Sequence, residues 1–201
     1  MSMENYEIEG IAHGMHYGYC RRDSHRLLLI KTGAGGTIHG DGGKYLHIAK
    51  RFLDLGYGVL CCDTPLEMKD DESFALAMAI AKHLLGDGFA DAQIYYVGAS
   101  KGAYQGILYG GEMEQIKELL LVNSPLTVNF HRQTKALRGM QKPCCIVQGS
   151  ADPTYNFYHF LKQIPNPNLF LQTIPDADHI FSAHQEIFEI LPEKFFLRGV
   201  K

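Results

Sequence analysis

The chain has 201 residues, 46% of them hydrophobic and 20% charged, which is enough for one domain (1–201) with a sizeable core. A formal net charge of −3 gives no electrostatic basis for binding nucleic acid or an anionic membrane surface. No basic start leads into an apolar run and no stretch is long enough to span a bilayer, so neither a signal peptide nor a membrane segment is expected.

The five cysteines are Cys20, Cys61, Cys62, Cys144 and Cys145. Two adjacent pairs lie inside apolar, strand-like runs, and neither a C-x-x-C nor a Cys/His zinc spacing occurs. They read as reduced core residues of a cytoplasmic protein, with no metal implied.

In chain order, residues 1–26 hold two short edge strands, 6–10 and 15–20, with the look of a hairpin. His13 and His16 make an H-x-x-H, but residues three apart on a strand point to opposite faces, so they read as edge histidines. Residues 26–31 (RLLLIK) form a continuous apolar run, as for a strand buried on both faces of a parallel sheet. It empties into TGAGGT, residues 32–37, a loop rich in exposed backbone. His39 and Asp41 follow and read as surface loop or pocket edge.

Apolar positions 45, 48, 49, 52 and 53 have helical spacing over 45–55, and Gly56 ends that helix. A strand over 57–62 closes at Asp63-Thr64-Pro65, and a helix spans 71–85 with acids at its start. Then comes QIYYVGASKGAYQG, residues 93–106: a β-type segment, G-x-S-x-G at 98–102, and a helix-compatible segment to 109. Glycines flank the serine because so sharp a bend brings strand and helix too close for a Cβ, and it strains the backbone at Ser100. Further strands are expected at 119–123, 143–148 and 168–174, with helices at 155–163 and 182–196, the last containing Pro192. Alternation of this kind predicts a right-handed parallel βαβ sheet with helices on both faces, an α/β three-layer sandwich.

Ligands of such sheets sit beyond the carboxyl ends of the strands. At those ends lie the glycine loop 33–36, Ser100, Asp152 and, after 168–174, the turn PDADH with His179. A serine hydroxyl needs a base to take its proton, which assigns that role to His179. The imidazole needs an acceptor on its other nitrogen, which assigns Asp152. The developing oxyanion needs preorganised donors, for which the N–H groups of Lys101 and Ala34 are placed. His184, Asp176, Asp178 and Asn123 are the rivals considered for base and acid. His184 falls inside the predicted last helix, and the two aspartates are ordinary turn-formers.

The residues LLLIKTGAGG, LGYGVLCCDTP, YYVGASKGA, PCCIVQGSADP and IPDADHIF together resemble an α/β-hydrolase of the small serine-esterase type, over roughly 26–196. The resemblance implies that fold, the triad Ser100–Asp152–His179, and an oxyanion hole from Ala34 and Lys101. Thr32 stands where a histidine is common, and Lys101 is a less usual neighbour for the nucleophile; neither removes a backbone N–H.

The implied activity is hydrolysis of a small carboxylic ester, thioester or amide through an acyl-enzyme, with no cofactor and a small-molecule acyl substrate as partner. Only residues 124–142 occupy the position where this family often inserts a cap, so an open, shallow site is expected. Two other readings compete. A short-chain-dehydrogenase-like NAD(P) enzyme finds echoes in TGAGG, Asp63 and the Tyr158-x-x-x-Lys162 pair, but the glycines its fingerprint needs are Thr37 and His39. A P-loop fails likewise at Ile38 and Tyr45. A non-catalytic binding protein on the hydrolase fold is the other reading, because fold does not fix function.

Overall fold

The computed structural model describes residues 4–198. Its sheet has the order β1-β2-β4-β3-β5-β6-β7-β8, built from β1 (Ile8–Ala12), β2 (Met15–Cys20), β3 (Arg26–Ala34), β4 (Gly58–Thr64), β5 (Gln93–Ala99), β6 (Ile116–Val122), β7 (Cys144–Gly149) and β8 (Leu169–Ile174). The hairpin β1–β2 joins β4 antiparallel, and every pairing from β4 to β8 is parallel. Helices α1 (Lys44–Asp54) and α6 (Gln185–Phe196) pack on one face. On the other lie α2 (Asp70–Leu85), α3 (Lys101–Tyr109), α4 (Phe130–Gly139) and α5 (Tyr155–Leu161).

Strand alternation divides the apolar runs between two cores. Leu27 and Leu29 of β3 enter the core under α2–α5, while Leu28 and Ile30 enter the one under α1 and α6. The cysteine pairs obey the same rule: Cys62 and Cys144 face the first core, Cys61 and Cys145 the second. All five thiols are free and buried. Each fully buried Leu or Ile contributes about 1.5–3 kcal/mol, and this two-sided burial holds the central strands rigid.

The expected elements are present, with differences at their ends. The first strand is Ile8–Ala12 rather than 6–10, because Tyr6 is drawn into the core, where its hydroxyl donates to Ile38 O at 3.0 Å. The last helix starts at Gln185, not 182. Ser182 is held by Asp178 instead, its N–H donating to Oδ1 at 2.9 Å, and Phe181 adopts φ 61°. His184, expected inside that helix, is its N-cap residue, and the helix continues through Pro192. Within 124–142 the single helix α4 is a packing element, with Leu137 fully buried and Phe130 against Phe157. Among the described residues no helix is long and apolar enough to cross a membrane.

From β3 the chain passes to β4 on one side, then returns across β3 to place β5 on the other. The strand order therefore reverses between β3 and β5, and a crevice opens beyond their carboxyl ends.

Candidate active site

Ser100 stands in that crevice, between the last residue of β5 and the first of α3, with φ 50° and ψ −115°. A non-glycine residue there is strained and needs a backbone that leaves it no alternative. Gly98 and Gly102 supply that confinement. A Cβ on Gly98 would lie 2.6 Å from Gly102 O, and one on Gly102 would run into the carbonyl oxygen of Lys31 and sit 2.7 Å from that of Thr32. Ser100 N–H donates to Val122 O (2.9 Å) and Ser100 O accepts from Tyr104 N–H (3.0 Å), so the residue is tied to β6 and α3 at once. The buried Tyr96 hydroxyl adds a bond to Gly102 O at 2.7 Å.

The expected acid and base lie in the turns that follow β7 and β8. Asp152 follows β7 and is 4% exposed. Its Oδ1 accepts from Thr154 N–H and Thr154 Oγ1, both at 2.7 Å, and Oδ2 lies 2.5 Å from His179 Nδ1. Burial alone would raise the Asp152 carboxyl. Hydrogen bonds from His179 and Thr154 outweigh it and hold the group below its ordinary value, so it stays a carboxylate. His179 Nε2 is 2.8 Å from Ser100 Oγ. With Nδ1–H donated to Asp152, Nε2 carries the lone pair and can accept a hydrogen bond from the serine hydroxyl.

The turn that carries His179 is stitched down by Asn123, which the sequence offered only as a substitute acid. Its Nδ2 donates to Asp178 O (3.0 Å) and His179 O (2.9 Å), and its Oδ1 accepts from Gly149 N–H (2.8 Å). Asn123 is buried at φ 48°, a conformation asparagine tolerates better than most residues. The only sequence signal was an Asn at a strand end.

Of the two residues expected to supply oxyanion donors, Ala34 lines the same cavity as Ser100 and Lys101 follows Ser100 in the chain. Ala34 pairs with Thr64 in a step closed by Gly35 N–H to Thr64 O (2.9 Å), so Ala34's own N–H turns away from β4. Lys101 opens α3, and its N–H is one of the first-turn donors with no partner inside the helix. The Lys101 side chain leaves the crevice, with its Nζ 3.6 Å from Asp70 Oδ1. Thr32 keeps its hydroxyl inside the glycine loop, on Gly33 O at 3.0 Å. Beneath that loop Lys31 is fully buried, donating to Asp63 O and Thr64 Oγ1, and Thr64 Oγ1 donates to Thr32 O at 2.7 Å. Burial lowers the Lys31 ammonium to about 8.

Ser100, His179 and Ala34 line one cavity of about 500 Å³ with Gly33, Gly35, Gly36, Val122 and Ile180, and with Asp41, Lys44, Tyr45 and Phe188. Asp41 thus belongs to the cavity, whereas His39 turns away to Glu9 Oε1 at 3.0 Å. No residue of 124–142 lines it. Tyr158 and Lys162 are not there either. Tyr158 is 1% exposed and stacked on Tyr155, in the core where an aromatic helix face belongs. His16 pairs with Asp63 at the exposed edge, 3.4 Å away. This part of the lining was not legible as a site, because Tyr45 and Phe188 read as ordinary helix packing.

No protein-family model matches the sequence, and no curated protein matches it either. Solved structures do match along nearly its whole length. Est1E from Butyrivibrio proteoclasticus is similar at a TM-score of 0.76 and 16% identity, over 96% of this chain and 98% of that one. Dienelactone hydrolase from Anabaena variabilis gives 0.77 and 14%, over 98% and 99%. An alpha-beta serine hydrolase homologue from Coxiella burnetii gives 0.72 and 17%, over 97% and 100%. The fold is that of the α/β-hydrolases.

Proposed function

We propose that this chain is a serine hydrolase that cleaves a small carboxylic ester, thioester or amide through an acyl-enzyme on Ser100. One observation carries the reading: a continuous hydrogen-bonded chain from Ser100 Oγ through His179 to the buried Asp152 carboxylate, at 2.8 and 2.5 Å. The likeness of the fold to known esterases and hydrolases agrees with it.

In this reading Ser100 Oγ attacks the acyl carbon while His179 Nε2 takes its proton, and Asp152 stabilises the imidazolium. The carbonyl oxygen becomes an oxyanion that accepts from Ala34 N–H and Lys101 N–H. Each such donor is worth about 3–4 kcal/mol of barrier. Collapse of the tetrahedral intermediate breaks the bond to the leaving group, which departs with the proton from His179. Water, deprotonated by His179, then attacks the acyl-serine and releases the acid, restoring the Ser100 hydroxyl. A cavity of about 500 Å³ without a lid helix suits a small substrate.

A fluorophosphonate probe tests the assignment. Covalent labelling of the folded wild type that is absent in Ser100→Ala is the expected result. Folded wild type that resists labelling contradicts it and leaves the non-catalytic binding reading in its place.

A further inference from the structure

The cavity that holds Ser100 also holds a buried cation whose hydrogen-bonding capacity is largely unspent. The Lys44 side chain is 10% exposed and lines the same cavity. An ammonium has three N–H donors. The nearest acceptor is Ile180 O at 3.4 Å, and the nearest carboxylate, Asp41 Oδ2, lies at 3.9 Å on a side chain that is 82% exposed and solvated. The rest of its surroundings is aromatic, with Nζ 5.6 Å from the centre of the Tyr45 ring and 5.1 Å from that of Phe188. A buried charge so loosely paired costs stability unless something else fills its coordination.

Its position in the chain makes the cost larger. Lys44 is the first residue of α1, a helix with no side-chain cap and no acidic residue in its first turn. A cation there opposes the positive end of the helix dipole, where an anion would be favoured. The helix end and the ammonium therefore converge on one demand, a negative charge in the cavity.

The geometry points to Lys44 as the residue that selects the substrate: the ester taken by this site carries a carboxylate that pairs with the Lys44 ammonium. This rests on the hydrolase reading and narrows it to acidic esters. The ammonium recognises the carboxylate end of the molecule while Ser100 attacks the ester end, so the pairing orients the substrate along the cavity.

Two matched substrate pairs test this, one with the charge on the acyl side and one with it on the leaving group. The first is 4-nitrophenyl hydrogen adipate against its methyl ester. The second is 4-carboxyphenyl butyrate against its methyl ester. In at least one pair the wild type is expected to favour the carboxylate about tenfold or more in kcat/KM. That ratio should fall toward one in Lys44→Met, be retained in Lys44→Arg, and invert in Lys44→Glu. A ratio of one or less in both pairs, or one that Lys44→Met leaves unchanged, overturns the assignment. Calorimetric titration with monomethyl adipate in the Ser100→Ala background gives a readout independent of turnover, with Kd expected to rise about tenfold when Lys44→Met is added. If the wild type neither labels nor cleaves any ester, the hydrolase reading fails while this titration still decides the Lys44 site. Absence of Lys44-dependent binding there overturns the site as well.

Discussion

The two walls of the cavity are held in opposite ways. On the side of Ser100 and His179, the side chains of the proposed triad are held by bonds of 2.5–2.8 Å, with Asp152 anchored to Thr154 N–H and the His179 carbonyl to Asn123. On the wall of α1, Lys44 has its closest acceptor at 3.4 Å and otherwise faces aromatic rings. The first wall is preorganised, as a catalytic constellation must be for charge to develop without reorganisation. The second leaves its polar capacity to whatever enters. In the proposed reading, chemistry and recognition thus rest on different kinds of contact, and each can be disturbed without the other.

The largest expected effects fall on the preorganised wall. Ser100→Ala should abolish fluorophosphonate labelling and lower ester hydrolysis by about 10⁴-fold or more, with far-UV circular dichroism unchanged. Asp152→Asn should cost about 10⁴-fold in kcat, because an amide at this position lets the imidazole take the wrong tautomer. A variant that kept more than a tenth of wild-type turnover would remove Asp152 from the triad.

Gly102→Ala tests the elbow through stability. The new methyl group meets the carbonyl oxygens of Lys31 and Thr32, both in a strand that is buried on both faces and cannot yield. Urea unfolding should show a loss of about 3 kcal/mol or more. Gly139→Ala, where a Cβ meets nothing within 4 Å, is the control and should be neutral or stabilising.

The difference between the walls also explains what could be read from the sequence. GASKG, GSADP and PDADH were legible because backbone geometry restricts the residues that can stand there, and such restriction leaves a motif. The parallel core was legible for a similar reason, since burial on both faces demands unbroken apolar runs such as LLLI in β3. Asn123 was hidden because its three bonds reach β7 and the His179 turn, neither adjacent in sequence. Lys44 was hidden because its meaning depends on α1 ending at the crevice, which is a property of topology. The start of α6 was misplaced because the Asp178 side chain captures Ser182 N–H, a local competition that hydrophobic spacing does not register.

Asn123→Ala probes a positioning residue on the first wall. It leaves the buried Gly149 N–H without its acceptor, a loss of about 1–3 kcal/mol in stability. It also frees the carbonyls of Asp178 and His179, so His179 is no longer held at the serine. We expect kcat to fall about 10–100-fold with little change in KM, since orientation rather than binding is lost. A rise in KM at constant kcat would place Asn123 in substrate binding instead.

The smallest effect belongs to the loosely held wall, and pH exposes it. Burial pushes the Lys44 ammonium below its ordinary value, against the opposing pull of Asp41 and Asp178. Between the lowered value and the ordinary 10.5, the unfolded chain binds the proton that the fold has released. Stability attributable to this group therefore rises with pH across that window and is lowest where Lys44 is charged. Recognition runs the other way: the preference for a carboxylate ester exists only while the ammonium is charged and declines as pH rises through the lowered value. Both members of a substrate pair pass through the same chemical step, so pH effects on that step cancel in their ratio. That ratio, followed from about pH 7 to 10.5, should fall about tenfold with a midpoint below that of an ordinary lysine. The fall should be absent in Lys44→Met. A ratio that stays level until pH 10.5 would mean that the charge reading the substrate is not the one buried at the head of α1.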